Sequence, residues 1–250
     1  MIKKLLEPYF NWIGTFSIFF SSTLIRLSSA PHYLKEILEQ IYFMGNRSLP
    51  LITVTSAFTG MVTAIQTFYQ LEDYTPQKFV GSVVGKTLLI ELGPVLTSLL
   101  ISGRVGAAIA AELGTMKVTE QIDAIETLAI DPIKYLVVPR FVAGLIVLPA
   151  LGLYADWIGV FSGWYVSVYS LGIDSTEYIK GVQDFCTSFD LFFGLLKAFI
   201  FGGVITLVSC FEGFNTRGGA EGVGIHTTRG VVISSLFILL LDFFIAHTIL

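Results

Sequence analysis

The chain has 250 residues, of which 54% are hydrophobic and 14% charged, and a formal net charge of −4; its mean hydropathy is +0.76. Soluble domains carry about a quarter charged residues, so this composition indicates a polytopic membrane protein, and no basic cluster points to nucleic acid. Cys186 and Cys210 are far apart and read as unpaired core residues, not as a disulfide framework or a metal site.

At the N-terminus, Lys3-Lys4, an apolar run over residues 9–25 and Ser28-Ser29-Ala30 imitate a signal peptide. Pro31 directly after the would-be cleavage point, and Arg26 before it, predict that the segment is retained. Five later stretches reach the length of about 20 apolar residues that a span needs: 49–71, 79–101, 141–171, 191–211 and 231–250. The run at 9–25 sits at the lower limit, and the distribution of basic residues decides it. If it lies in the interface, Lys3, Lys4, Arg26, Lys35, Arg47, Arg104, Lys117, Lys134, Arg140, Arg217 and Arg229 fall inside, with only Lys78 and Lys180 outside. If it spans, Lys3 and Lys4 move out and the bias weakens. The expected architecture is therefore an all-α integral membrane protein with its N-terminus inside and its C-terminus outside. An N-terminal interfacial or elbow region covers 1–48, and a five-span domain covers 49–250. Residues 102–140 and 212–230 become cytoplasmic. The short outer connections carry Glu72, Asp73, Asp174, Glu177, Asp184 and Asp190.

Several chemical readings fail. Gly81-Ser82-Val83-Val84-Gly85-Lys86-Thr87 is one residue short of a phosphate-binding P-loop and lies in an apolar helix, so it reads as a Gly-xxx-Gly contact face. Any ATP-driven step then belongs to another chain. His32, His226 and His247 are scattered without metal-ligand spacing, and there is no nucleophile elbow. The expectation is a non-catalytic subunit with no cofactor and no metal.

The polar stretch 91–140 carries the positive signals. Gly103, Ala107 and Ala111 form one row of small residues at four-residue spacing, and Gly106, Ala110 and Gly114 form another. Such rows admit a close helix, either inside one subunit or at a moving or inter-subunit contact. Residues 119–128 predict a short amphipathic helix with Thr119 as N-cap, Ile122, Ile125 and Leu128 on one side, and Pro132 as its stop. Its acids, Glu120, Asp123 and Glu126, suit either a solvated turn or a plug for a basic groove on a partner. Lys86, Glu91, Asp156, Lys197, Glu212 and Asp242 lie within or at the edge of spans, where charges face a cavity or pair with each other. Pro94 kinks the span just beyond Glu91. These groups read either as an ion pair holding helices in register or as a polar point on the path of a lipid head group. An alternative from another class is an ion- or proton-coupled secondary transporter using Glu91, Asp156 and Asp242 as relays, which an inverted repeat would favour and five spans do not.

The order Glu91-Leu92-Gly93-Pro94-Val95, Gly103-Arg104-Val105-Gly106, Ala111-Glu112-Leu113-Gly114 with Met116, Thr119-Glu120-Gln121, Asp131-Pro132 and Pro139-Arg140-Phe141 resembles the MlaE-type permeases. A second block adds Phe211-Glu212-Gly213-Phe214, Gly224-Ile225, Thr227-Thr228-Arg229-Gly230 and Leu241-Asp242-Phe243. These are membrane subunits of ABC transporters linked to mammalian-cell-entry (MCE) proteins. The resemblance covers roughly residues 40–250 and implies a phospholipid transporter of the bacterial inner membrane, or of the plastid inner envelope. It implies a homodimer whose subunits each contact a cytoplasmic ABC ATPase through the region of Glu112 and Thr119–Asp131. It also implies a periplasmic MCE-domain lipid-binding protein on the outer side that continues the lipid path; within the spans, that path is read past the polar point of Lys86, Glu91, Pro94, Lys197 and Asp242. The chain departs from the pattern at Ile90, where some members carry a basic residue, and in the glycine-rich block 215–222. With Ile90 in place, Lys86 or Lys197 has to supply the counter-charge of Glu91.

Overall fold

The computed structural model describes residues 2–71 and 76–249, with side chains from residue 11 onward in those stretches. Glu72 and Asp73 lie outside the described residues, and the Lys3-Lys4 pair outside the described side chains. The protein is α-helical, with no strand among the described residues. Helix α1 (Ile2–Arg26) leads through a 3-10 turn into α2 (Leu34–Gly45), and a second such turn leads into α3 (Leu49–Leu71). Helices α4 (Lys78–Thr87), α5 (Gly93–Ile101) and α6 (Ala107–Val118) follow one another through π-helical turns, and the short α7 (Gln121–Thr127) comes next. Helices α8 (Val138–Tyr169), α9 (Ser175–Phe185), α10 (Ser188–Phe214) and α11 (Gly219–Ile249) complete the chain. Among the described residues, five helical paths are long and apolar enough to cross a membrane: Asn11–Leu71, Lys78–Val118, Ile133–Tyr169, Ser188–Phe214 and Gly219–Ile249.

Two of the π turns have a covalent cause. Leu88–Leu92 ends just before Pro94, and Ile133–Val137 just before Pro139. Proline has no N–H, and its ring crowds the carbonyl four residues back. Widening the preceding turn relieves the clash: the Gly93 N–H reaches Leu88 O and the Val138 N–H reaches Ile133 O, each five residues back. The kink expected at Pro94 therefore takes the form of a wide turn that carries Glu91.

The chain folds into two compact units, each drawn from three separated stretches. The first comprises 1–42, 102–144 and 203–236, and the second 43–101, 145–202 and 237–250. In the first, Trp12, Phe16 and Phe19 of α1 pack edge-on against Phe211 near the end of α10. In the second, Val80, Val84 and Leu88 pack with Ala64, Ile173 and Tyr178. Close backbone approach holds this second unit together. A Cβ on Gly60 of α3 would strike the Gly159 carbonyl of α8, and one on Gly81 would strike the Tyr178 carbonyl of α9. Gly85 faces Cys186 in the same way, so Gly81 and Gly85 form the contact face that their spacing suggests. Cys186 is half-buried in the connection between α9 and α10, in contrast to the core position expected, while Cys210 is buried; neither is in a disulfide.

Replacing Gly60 with valine must push α3 and α8 apart. The expected cost is about 1–3 kcal/mol, as for other overpacked sites, read as a lower thermal midpoint of the detergent-solubilised chain. An unchanged midpoint would contradict the contact.

Candidate functional site

The second unit holds a buried charge cluster. Lys197 of α10 is 0% exposed and lies 2.8 Å from Glu91 Oε1 in the π turn and 2.7 Å from Asp242 Oδ1 of α11. The ammonium also sits 4.8 Å from the centre of the Phe193 ring, a favourable cation–π position. The contacts to Glu91 and Asp242 are close ion pairs, at distances typical of charge-assisted contacts. Glu91 is the open member, with 39% of its side chain exposed. Lys197 thus supplies the counter-charge of Glu91, and Lys86 does not join the cluster. Pro94 stacks its ring toward Gly194 of α10, where any side chain would strike the Leu89 carbonyl. This glycine lets α10 come close enough to the π turn for Lys197 to reach Glu91. Asp156 stands apart from the cluster: it is buried, Oδ1 has no hydrogen-bond partner, and its carboxyl occupies the space a Cβ on Gly93 would need.

The first unit holds the connection between the second and third helical paths. Glu120 adopts φ 60 and turns the chain sharply between α6 and α7, and its carbonyl accepts the Ala124 N–H. Thr119 is not the N-cap, because its hydroxyl is spent on Thr115 O in the last turn of α6. Nor does Pro132 stop α7. Ala129, at φ 60, ends the helix in a left-handed cap, and Asp131 opens the next one. Asp131 Oδ1 accepts the Ile133 and Lys134 N–H groups and Pro132 takes the first helical position, where a missing N–H costs nothing.

On α7, Ile122 is 1% exposed and anchors the helix, whereas Leu128 is 71% exposed. The apolar side formed by Ile122, Ile125 and Leu128 is therefore split, and its far end points out. Glu120, Gln121, Asp123 and Glu126 are all exposed. Lys117 of α6 braces Asp123 at 2.6 Å, and Gln121 donates to the Thr119 hydroxyl. Glu112 pairs with the buried Arg140 at 3.0 Å. Asp131 also binds Arg26 at the end of α1. Partial burial raises the Asp131 pKa, but the hydrogen bond and charge of Arg26, with the Lys134 and Ile133 N–H groups, outweigh it and hold the carboxyl below its usual range.

The small-residue rows separate. Gly106 faces Ser209 Oγ, Gly114 faces Thr216 Oγ1, and Ala110 backs onto Gly213, so this row packs on α10. Gly103 has open space in front of it, and Ala107 and Ala111 are half-exposed. Arg104 lies half-buried in the π turn Ser102–Gly106.

One hub in this unit was not assembled from the sequence. Glu212 of α10 is buried and accepts the Trp12 indole N–H at 2.8 Å, with His226 Nδ1 at 2.7 Å. It binds α1 and α11 to α10. The charge of Glu212 at the edge of a span was the available signal, but partners 200 and 14 residues away along the chain cannot be read from spacing.

The family model for the permease MlaE matches residues 37–248. The chain belongs to the MlaE permease family. Among its relatives, a probable ABC transporter permease protein of Rickettsia felis is 43% identical over 94% of this chain and 91% of its own length. The intermembrane phospholipid transport system permease protein MlaE of Haemophilus influenzae is 35% identical over 97% of this chain and 93% of its own. The chloroplastic protein TRIGALACTOSYLDIACYLGLYCEROL 1 of Arabidopsis thaliana is 34% identical over 93% of this chain and 67% of its own. Membership in a permease family and five apolar helical paths make this MlaE-family chain a multi-pass membrane protein.

Removing the cation from the charge cluster strands two carboxylates. Lys197→Met is expected to destabilise the solubilised protein by about 3–5 kcal/mol, and the triple variant with Glu91→Gln and Asp242→Asn to recover most of it. Equal midpoints for the single and triple variants would refute the pairing. At the joint between α7 and the helical path that follows it, Asp131→Ala loses a cap worth about 1 kcal/mol and a partly exposed ion pair worth at most about 1 kcal/mol, while Asp131→Asn keeps a capping oxygen and loses less. Because the folded pKa of Asp131 is depressed, its contribution is complete above the unfolded carboxylate value of about 3.9 and disappears as pH falls through the lower folded value. The wild-type minus Asp131→Asn difference in thermal midpoint should be flat from neutral pH down to that range and shrink only below it.

Proposed function

We propose that the chain is the permease subunit of an ABC-type transporter that moves phospholipid between membranes, and that a separate cytoplasmic ATPase powers it. The observation that carries this reading is α7: a short acidic helix fixed at its base by Ile122 and the Lys117–Asp123 bridge, presenting Glu120, Glu126 and Leu128 to solvent. A braced projection with acidic and apolar tips suits transmission of force from a partner with a complementary groove. The phospholipid comes from the name of the Haemophilus relative. The subunit itself hydrolyses nothing. Two copies pair, and the open row of Gly103, Ala107 and Ala111 is a surface that admits a close helix. A periplasmic MCE-domain protein takes up the path on the outer side of the bacterial inner membrane. Glu91, at the Pro94 turn, is the polar group that meets a passing head group, with Lys197 and Asp242 behind it. Both carboxylates of the cluster converge on one lysine, and an ion-paired group of this kind suits a fixed polar point on the path.

Charge reversal at Glu120 and Glu126, which leaves the Lys117–Asp123 brace in place, tests the coupling. The Glu120→Lys and Glu126→Lys variants should insert and fold normally yet lose co-purification with the ATPase and transport of phospholipid between vesicles by about tenfold or more, the loss of one or two charge-assisted contacts. Normal co-purification and wild-type transport by both variants would refute this assignment of α7.

A further inference from the structure

Lys86 takes no part in the Glu91 cluster, although it sits in the same helical path, Lys78–Val118. It has no carboxylate within ion-pair distance among the described residues. Asp190, an acid close to Cys186, is buried and accepts the Thr187 N–H at 2.8 Å. The neighbouring Thr87 is also unspent. In α3, Thr53, Thr55, Thr59 and Thr63 each return their hydroxyl to the carbonyl four residues back, the usual way a helix in hydrocarbon satisfies threonine. Thr87 makes no such bond among the described residues, and it is half-buried. Both free donors open into one cleft of about 310 Å³, whose other walls are Ser82, Val83, Ile90 and Phe185. The Ser82 hydroxyl is committed to Phe79 O, so the cleft offers one cation and one hydroxyl donor against apolar walls.

A cation at membrane depth normally has a partner, and here the described protein atoms provide none. From this we propose that the cleft binds the phosphate of an anionic phospholipid, with the Lys86 ammonium and the Thr87 hydroxyl as donors and Val83, Ile90 and Phe185 against the first methylenes of a chain. The site rests on the phospholipid reading above and adds a second lipid contact, distinct from the Glu91–Lys197–Asp242 cluster. The close packing of Gly81 and Gly85 on α9 fixes the cleft wall, because Phe185 ends that helix. The glycines of the P-loop-like string thus build a phosphate site through side chains, where a true P-loop would use its backbone.

The test is native mass spectrometry of the full chain in detergent, titrated with phosphatidylglycerol, with a diacylglycerol of the same tails, and with inorganic phosphate as competitor. Wild type should bind phosphatidylglycerol saturably. Lys86→Gln should weaken that binding about tenfold and Thr87→Val about threefold, as loss of charged and neutral donors predicts, with Lys86→Arg close to wild type and diacylglycerol retention the same in all. Wild-type phosphatidylglycerol affinity in both Lys86→Gln and Thr87→Val would overturn the site. Displacement of phosphatidylglycerol by equimolar inorganic phosphate would overturn the lipid as the source of the anion. Phospholipid transport by the assembled wild-type complex is read separately: its absence would sink the transporter reading while leaving the binding result to stand or fall alone.

Discussion

A charge below the membrane surface has to be neutralised by something else in the same environment, and most of this protein's tertiary contacts near its polar groups follow from that constraint. Lys197 is the clearest case. Its ammonium is sealed from solvent and brings together a wide turn, the middle of α10 and the last helix. Glu212 does the same work with the opposite sign, collecting an indole, an imidazole and, at 3.8 Å, a guanidinium from elements far apart in sequence. In both cases one buried ion selects which helices may be neighbours. A hydrophobic surface cannot make that selection in lipid, where apolar faces are interchangeable.

The charges reach their partners only because the backbones come close. Gly194 permits α10 to press on the π turn, and Gly60 and Gly159 permit α3 to press on α8. Proline and glycine thus act together. Pro94 forces the wide turn that turns Glu91 out of register with a regular helix, and Gly194 lets the counter-ion arrive. Within the second unit, polar chemistry and close packing are two aspects of one arrangement.

Much of this was legible in the sequence. Five apolar stretches, a polar segment between the second and third, and a charged residue beside a proline all have local signatures, since span length and proline geometry are set by neighbouring residues. The choice between Lys86 and Lys197 as partner of Glu91 was not legible, because it depends on which helix lies opposite, and the two lysines have equal claim on composition. The end of α7 was misread for a different reason. Ala129 adopts a left-handed conformation that its residue type does not announce, so the stop was assigned to the conspicuous Pro132, which in fact begins the next helix. The Trp12–Glu212 contact left no periodic trace at all.

Asp131 uses one oxygen to cap the start of α8's helical path and the other to hold Arg26. The two duties share one carboxyl of fixed length. A glutamate would carry the oxygens a methylene too far to cap, and an asparagine would cap without attracting the guanidinium. Neither the boundary of that helix nor the anchoring of α1 can therefore drift independently over evolutionary time: a change that tunes one necessarily retunes the other, and a substitution at Arg26 leaves an acid whose remaining purpose is only half of its original one.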